Sequence, residues 1–198
     1  MRTLPHHRRG PRNAGFTLIE MMVSLAVMTV MLIIVTQIFI ADYDIVQRQI
    51  ARTDVDTGTS LAVRTISQLA RGAIAVLGTQ TVNGTSYTSS SSVLVLKMPS
   101  VSSSGAVLAN TYDYVAFARD GSDPTKLYAD VQAASGSVRI SLRRLLSPDV
   151  SLLTFRYNAS DITKATRVET YLVDVATSRG STLTSKAWTA LFFRNTTF

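Results

Sequence analysis

Gly15-Phe16-Thr17-Leu18-Ile19-Glu20, followed by the charge-free run Met21–Ala41, is the stretch that decides how this 198-residue chain is built. The run holds 21 residues, long enough to cross a bilayer as a helix. Across Phe16–Ala41 the one charged residue is Glu20, close to the start. Ahead of it stand Arg2, Arg8, Arg9 and Arg12, with no acidic residue among them. A carboxylate inside a membrane segment costs roughly 2.5–3.5 kcal/mol at mid-bilayer and less near an end. A segment that served only as an anchor gains nothing from it, so Glu20 requires a compensating partner. Two opposite charges about 4 Å apart attract by about 4 kcal/mol at an effective dielectric near 20, before desolvation and ordering are subtracted. Two sources of that partner are open. One is a positive charge on another chain; the other is the chain's own amino-terminal groups, since residue 16 lies one helical turn before residue 20.

An ordinary secretory signal has a shorter apolar core and a small-residue cleavage site after it. Here the apolar run is too long, and no such site follows near Ala41. A plain single-span anchor leaves the glutamate unexplained. The arginine-rich leader favours a cytoplasmic amino terminus with the carboxy-terminal part translocated.

On these residues (Gly15, Phe16, Thr17, Leu18, Ile19 and Glu20, with the basic leader before and the apolar helix after) the chain resembles the type IV prepilin family of pilins, minor pilins and type II secretion pseudopilins. The resemblance implies cleavage by a prepilin peptidase between Gly15 and Phe16 and methylation of the new terminus at Phe16. It implies that Glu20, then fifth in the mature chain, pairs with the amino terminus of a neighbouring subunit during assembly. It further implies an inner-membrane protein with its head outside the cytoplasm, whose partners are that peptidase, other pilins or pseudopilins and an inner-membrane assembly platform. The resemblance covers about the first quarter of the chain.

Composition is read in that light. The net charge is +7, with 20 basic and 13 acidic side chains. Removing the four leader arginines leaves 16 against 13, a balance of +3. Arg143-Arg144 is the one adjacent basic pair after the leader, which a solvated surface explains; nucleic-acid binding is the lesser alternative. Cysteine is absent, so the exported part must be held by core packing rather than disulfides, unlike many major pilins. Both histidines, His6 and His7, lie in the leader. A mature chain without His or Cys lacks the usual zinc ligands, a thiol nucleophile and a Ser–His pair. No catalytic residue, cofactor or metal ligand is expected, and the chain does not read as an enzyme. Asp120-Gly121-Ser122-Asp123-Pro124 reads as a turn rather than a calcium loop.

Beyond Ala41 apolar residues recur at Ile45, Val46, Ile50, Leu61, Ala62, Ile66, Leu69, Ala70 and Ala73, between charges at Asp44, Arg48, Arg52, Asp56, Arg64 and Arg71. These steps predict an amphipathic continuation of the helix, with a weak point at Gly58 and a stop at Gly72 or Gly78. A helix reaching Leu77 would be roughly 90 Å long. The expected divisions are a leader over 1–15, a membrane or filament-core helix over 16–41, its amphipathic continuation over 42–78 and a β-rich head over 79–198. Thr79–Ser92, rich in Thr, Ser, Gly and Asn, reads as an exposed loop. Strands are predicted over Val93–Met98, Tyr112–Arg119, Lys126–Asp130, Val138–Leu142, Ser151–Asn158, Arg167–Val175 and Trp188–Arg194. In the sixth, Val168, Thr170 and Leu172 alternate with Glu169, Tyr171 and Val173. Short turns between strands favour antiparallel pairing, so the expected class is α+β: a long amino-terminal helix packed on an antiparallel sheet, which is also pilin-like.

Leu152–Tyr157, Thr166–Val173 and the ending Leu191-Phe192-Phe193-Arg194-Asn195 are similar to W-type minor pilins and J-type minor pseudopilins. That second resemblance implies a minor subunit at a filament's tip or priming complex. The expected function is therefore structural. The alternatives are a pilus-displayed binding module for adhesion or DNA uptake, and a minor pseudopilin of type II secretion.

Overall fold

The computed structural model describes residues 16–178 and 180–193. One helix, α1 (Leu18–Ala70), runs from the apolar segment into the carboxy-terminal part of the chain. Contacts divide the chain into two units, up to Val46 and from Gln47 onward. In the first, every described residue of the apolar segment is exposed.

The second unit contains the expected antiparallel strands, but in two sheets and a separate hairpin rather than in one sheet. β1 (Ala75–Val76), β4 (Leu94–Val101), β5 (Val107–Arg119), β6 (Leu127–Gln132) and β7 (Leu142–Ser147) form a five-stranded sheet in the order β1-β4-β5-β6-β7. β8 (Val150–Tyr157), β9 (Arg167–Ser178) and β10 (Ser181–Phe192) form a second in the order β10-β9-β8. β2 (Thr79–Val82) and β3 (Thr85–Thr88) make a separate hairpin. All pairings are antiparallel. The class is α+β, as the sequence predicts.

The last third of α1 joins the two sheets. Ala62, Val63, Ile66 and Ala70 share one apolar core with Leu96, Val115 and Phe117 of the first sheet and Phe155, Leu172 and Leu191 of the second. The spacing of these helical residues, three and four apart, is what places them on one face. The expected stripe is shorter than the sequence implies: Ile45, Val46, Ile50 and Leu61 are exposed, and burial on the helix begins at Thr59. The helix continues through Gly58 and stops at Ala70, where Arg71 and Gly72 form a turn. Ala75–Val76 is already a strand, so the predicted reach to Leu77 is too long. Residues 73 and 76 are buried as strand-side core instead.

Two further expectations are corrected. Thr79–Ser92 is not simply a loop but carries the β2–β3 hairpin. Asn83 and Gly84 adopt φ of 47° and 83°. Both central residues of a tight hairpin turn need a positive φ, which Asn and Gly tolerate best. The hairpin's Val82 packs on Val95 and Ala116. Asn83 Nδ2 and Tyr87 Oη donate to Asp130 at 2.7 and 2.9 Å, fastening it to β6. The strand predicted over Val138–Leu142 lies later, at Leu142–Ser147, because alternating Val138 and Ile140 find no core and stay exposed.

Asp174 is a buried carboxylate within this packing. Thr59 Oγ1 and Ser147 Oγ donate to its Oδ2 at 2.9 and 2.8 Å, while its Oδ1 has no partner among the described residues. Burial pushes its carboxyl above the ordinary value; the two hydroxyls oppose this and Asp149 reinforces it. An acid whose folded value is raised keeps its proton in the fold while the unfolded chain has lost it. Its stabilising contribution is then full at low pH and falls as pH rises from about the ordinary carboxylate value. Asp174→Asn should leave stability little changed at pH 3 relative to the parent and become progressively more favourable toward pH 7. Urea unfolding across that range checks it; a difference independent of pH would refute the raised value.

Candidate functional site: the start of the apolar helix

The helix opens on a reciprocal pair of caps. Thr17 N–H donates to Glu20 Oε2 at 2.9 Å, and Thr17 Oγ1 donates to the same oxygen at 3.0 Å. Glu20 N lies 3.4 Å from Thr17 Oγ1, and Met21 N–H reaches Thr17 O at 3.2 Å. This is a capping box, in which a Thr at the cap and a Glu three residues on satisfy amides that the first helical turn leaves unpaired. Thr17-Leu18-Ile19-Glu20 spells that signature openly, and the sequence reading passed over it. The sequence leaves Glu20 another chain or the chain's own amino-terminal groups as partner; within the chain, its Oε2 is held by Thr17.

The cap has two consequences. It places a negative charge in the first turn, where the helix dipole favours it. It also uses one carboxylate oxygen only: Oε1 has no partner among the described residues. Phe16, Leu18, Ile19, Met21 and Met22 around the site are 65–80% exposed. A carboxylate already held in place thus stands at the head of an uncovered apolar helix. The methionines at 21, 22, 28 and 31 lie along this helix as flexible apolar surface. Of the remaining expected site residues, Phe16 is described and Gly15 lies outside the described residues, as do His6, His7 and the leader arginines.

The acidic turn of the head is committed to structure. Asp120 Oδ1 accepts from Ser122 N and Oγ at 2.9 and 2.8 Å. Asp123 accepts from Thr125 Oγ1 at 2.5 Å and pairs with Lys126 at 2.9 Å, and these contacts hold its carboxyl down at about 2. Asp120–Pro124 is the turn the sequence predicts, with its carboxylates occupied by its own backbone and neighbours. No group of three potential metal ligands occurs among the described residues.

Residues 10–36 match the family model described as the prokaryotic N-terminal methylation motif. No curated protein and no solved structure matches the chain. The matched segment takes in Gly15, Phe16 and Glu20 together with the first half of the apolar run. The chain carries a type IV prepilin-like amino terminus.

Proposed function

We propose that this chain is a structural subunit of a type IV pilus or pseudopilus, cut between Gly15 and Phe16 by a prepilin peptidase and methylated at Phe16. The observation that carries the reading is the match over residues 10–36, which takes in the start of a helix whose apolar segment is uncovered and opens on a capped Glu20. In the inner membrane the Phe16–Ala41 segment is the single span, with the head outside the cytoplasm; in the filament the same apolar side chains exchange lipid for neighbouring helices. Thr17 supports the Glu20 carboxylate in the lone subunit, and its second oxygen receives the amino terminus of a neighbour. An attraction of about 4 kcal/mol at 4 Å is large enough to set register between subunits, less the cost of desolvating both groups. Segments 1–15 and 16–41 are leader and span, the helix continues from there to Ala70, and the chain beyond it is the β-rich head. The W- and J-type likeness of the last strands makes it a minor subunit of a tip or priming complex, in a pilus or in type II secretion. Its role is assembly, not catalysis.

Two substitutions separate the register role from the cap. Glu20→Val removes both and should leave membrane insertion intact while filament incorporation drops at least about tenfold, the equivalent of 1.4 kcal/mol. Glu20→Gln keeps a side chain that serves a capping box but removes the charge, and should fail to the same degree. Incorporation of Glu20→Gln at the parental level would assign Glu20 to capping alone and overturn its pairing with a neighbour.

A second reading, a binding module displayed on the filament, is favoured by one surface of the head. On the outer face of β8–β10, Thr154, Tyr171 and Trp188 lie in a cross-strand row. Arg156 and Lys186 flank that row, and Arg167 sits 5.7 Å from the Phe192 ring while pairing with Glu169. Aromatic side chains among cations suit ligands with flat faces and negative charge. Trp188→Ala that lowers adhesion or DNA uptake at unchanged filament number would support this reading, and unchanged uptake and adhesion would remove it.

A further inference from the structure

The second sheet ends on a long strand whose outer edge pairs with no described segment. β10 pairs with β9 through all twelve residues Ser181–Phe192 without a register shift. Its other edge makes no backbone hydrogen bond among the described residues. Exposed edges of this length invite another strand, and proteins usually blunt them with proline, bulges, charges or a covering segment. The other edges of the two larger sheets are blunted. β1 has two residues, and β7 is short and carries Arg143 and Arg144. The far side of β8 is closed by Val150 N–H to Thr125 O at 2.7 Å and Phe155 N–H to Ser91 O at 2.8 Å. β10 has no proline, and Lys186 is its only charge.

A groove accompanies that edge. One part, of about 550 Å³, lies between Arg64 and Ser67 of α1, with Arg71 in the turn that follows it, and Ala187–Thr189 of β10. A second, of about 310 Å³, continues between Ser67, Ala70 and Arg71 and Thr189–Phe192. Both lie within the second unit. Together they follow six residues of β10, about 20 Å of strand, beside a comparable length of helix. The side chains of Arg64 and Arg71 form no ion pair or hydrogen bond with any described residue, so the groove presents unpaired strand groups on one wall and two cations on the other.

We propose that this groove is a strand-addition site: an extended, acid-bearing segment of a partner subunit pairs with β10 as a fourth strand of the sheet, with its carboxylates on Arg64 and Arg71. Backbone pairing supplies the affinity and alternate side chains supply the choice of partner. A second copy of this chain fits poorly through its own free edges. β10 contains no acidic residue, so β10 against β10 brings lysines together and offers nothing to the two arginines; β7 is itself basic. The inference stands on the head alone, whether or not the amino terminus is processed.

The test uses the full chain in detergent micelles and an end-blocked peptide of about eight residues, one strand's length, alternating valine with glutamate. Fluorescence anisotropy should show saturable binding, and hydrogen exchange should slow at about half of the β10 amides. The same peptide N-methylated at alternate residues should bind at least about tenfold more weakly, as should a version with lysine for glutamate. Arg64→Glu combined with Arg71→Glu should reverse the preference between the acidic and basic peptides. Equal binding of the methylated peptide, or unchanged exchange in β10, would overturn strand addition. So would protection of β10 that grows with protein concentration and that the peptide does not displace, which would make the occupant a second copy.

Discussion

Asp113→Ala should cost the head about 3 kcal/mol of stability, because that carboxylate is buried at the centre of four converging donors. Ser100 Oγ and Ser137 Oγ each donate to it at 2.7 Å, Ala134 N–H at 2.8 Å and Arg139 Nη1 at 2.6 Å. Three of these donors lie between β6 and β7, so Asp113 on β5 fastens the connection that sets the edge of the five-stranded sheet. Arg139 also donates to Pro99 O at 2.7 Å, which holds it in place and leaves its charge behind if Asp113 is removed. Burial alone would raise the Asp113 carboxyl, but the Ala134 amide, the Arg139 guanidinium and the two serines outweigh it and hold it below its ordinary 3.8. An acid depressed in the fold stabilises fully above its unfolded value, and that contribution is lost as pH falls through the folded one. Urea unfolding at neutral pH should therefore separate parent and variant by most of the 3 kcal/mol, and the gap should narrow as pH falls below about 4. A difference under about 1 kcal/mol at pH 7 would mean that the network is not holding this loop.

Ile66→Ala should cost about 2–5 kcal/mol, the usual range for truncating a fully buried isoleucine. Ile66 sits where α1 meets both sheets, so the loss opens a cavity that neither sheet can close alone. Leu61→Ala, five residues earlier on the same helix, should stay within about 0.5 kcal/mol, because Leu61 is 52% exposed. Chemical denaturation of the two variants side by side checks the face assignment. Equal costs would contradict it.

That pair also marks where the sequence stops being informative. Ile66 and Leu61 are both apolar at plausible helical positions, and periodicity placed them on one stripe; only contact with the sheets separates them. The helix itself was legible, since a long uncharged run followed by an amphipathic pattern allows little else. Its end was less so, because Gly72 and Gly78 are both plausible stops and strand pairing of Ala75–Val76 with β4 decides between them. The β2–β3 hairpin was within reach: Asn83-Gly84 announces it, but the surrounding Ser and Thr residues resemble a loop. β7 was not, because Leu142–Ser147 has little alternation and is held by its pairing with β6 and by Arg143 lying 4.1 Å from the Tyr128 ring. At the amino terminus Glu20 stood out as an anomaly of charge, while its partner Thr17 was hidden in plain view within the same motif. The groove beside β10 depends on residues more than a hundred positions apart, which no local pattern brings together.

The most direct test of the account is the intact mass of the membrane-extracted protein, produced with and without a prepilin peptidase. With the peptidase, the mass should be that of a chain beginning at methylated Phe16; without it, and in Gly15→Ala with it, the mass should remain that of the full chain. A full-length mass under all three conditions would contradict the account, leaving an apolar helix and a β-rich head with no processed subunit between them.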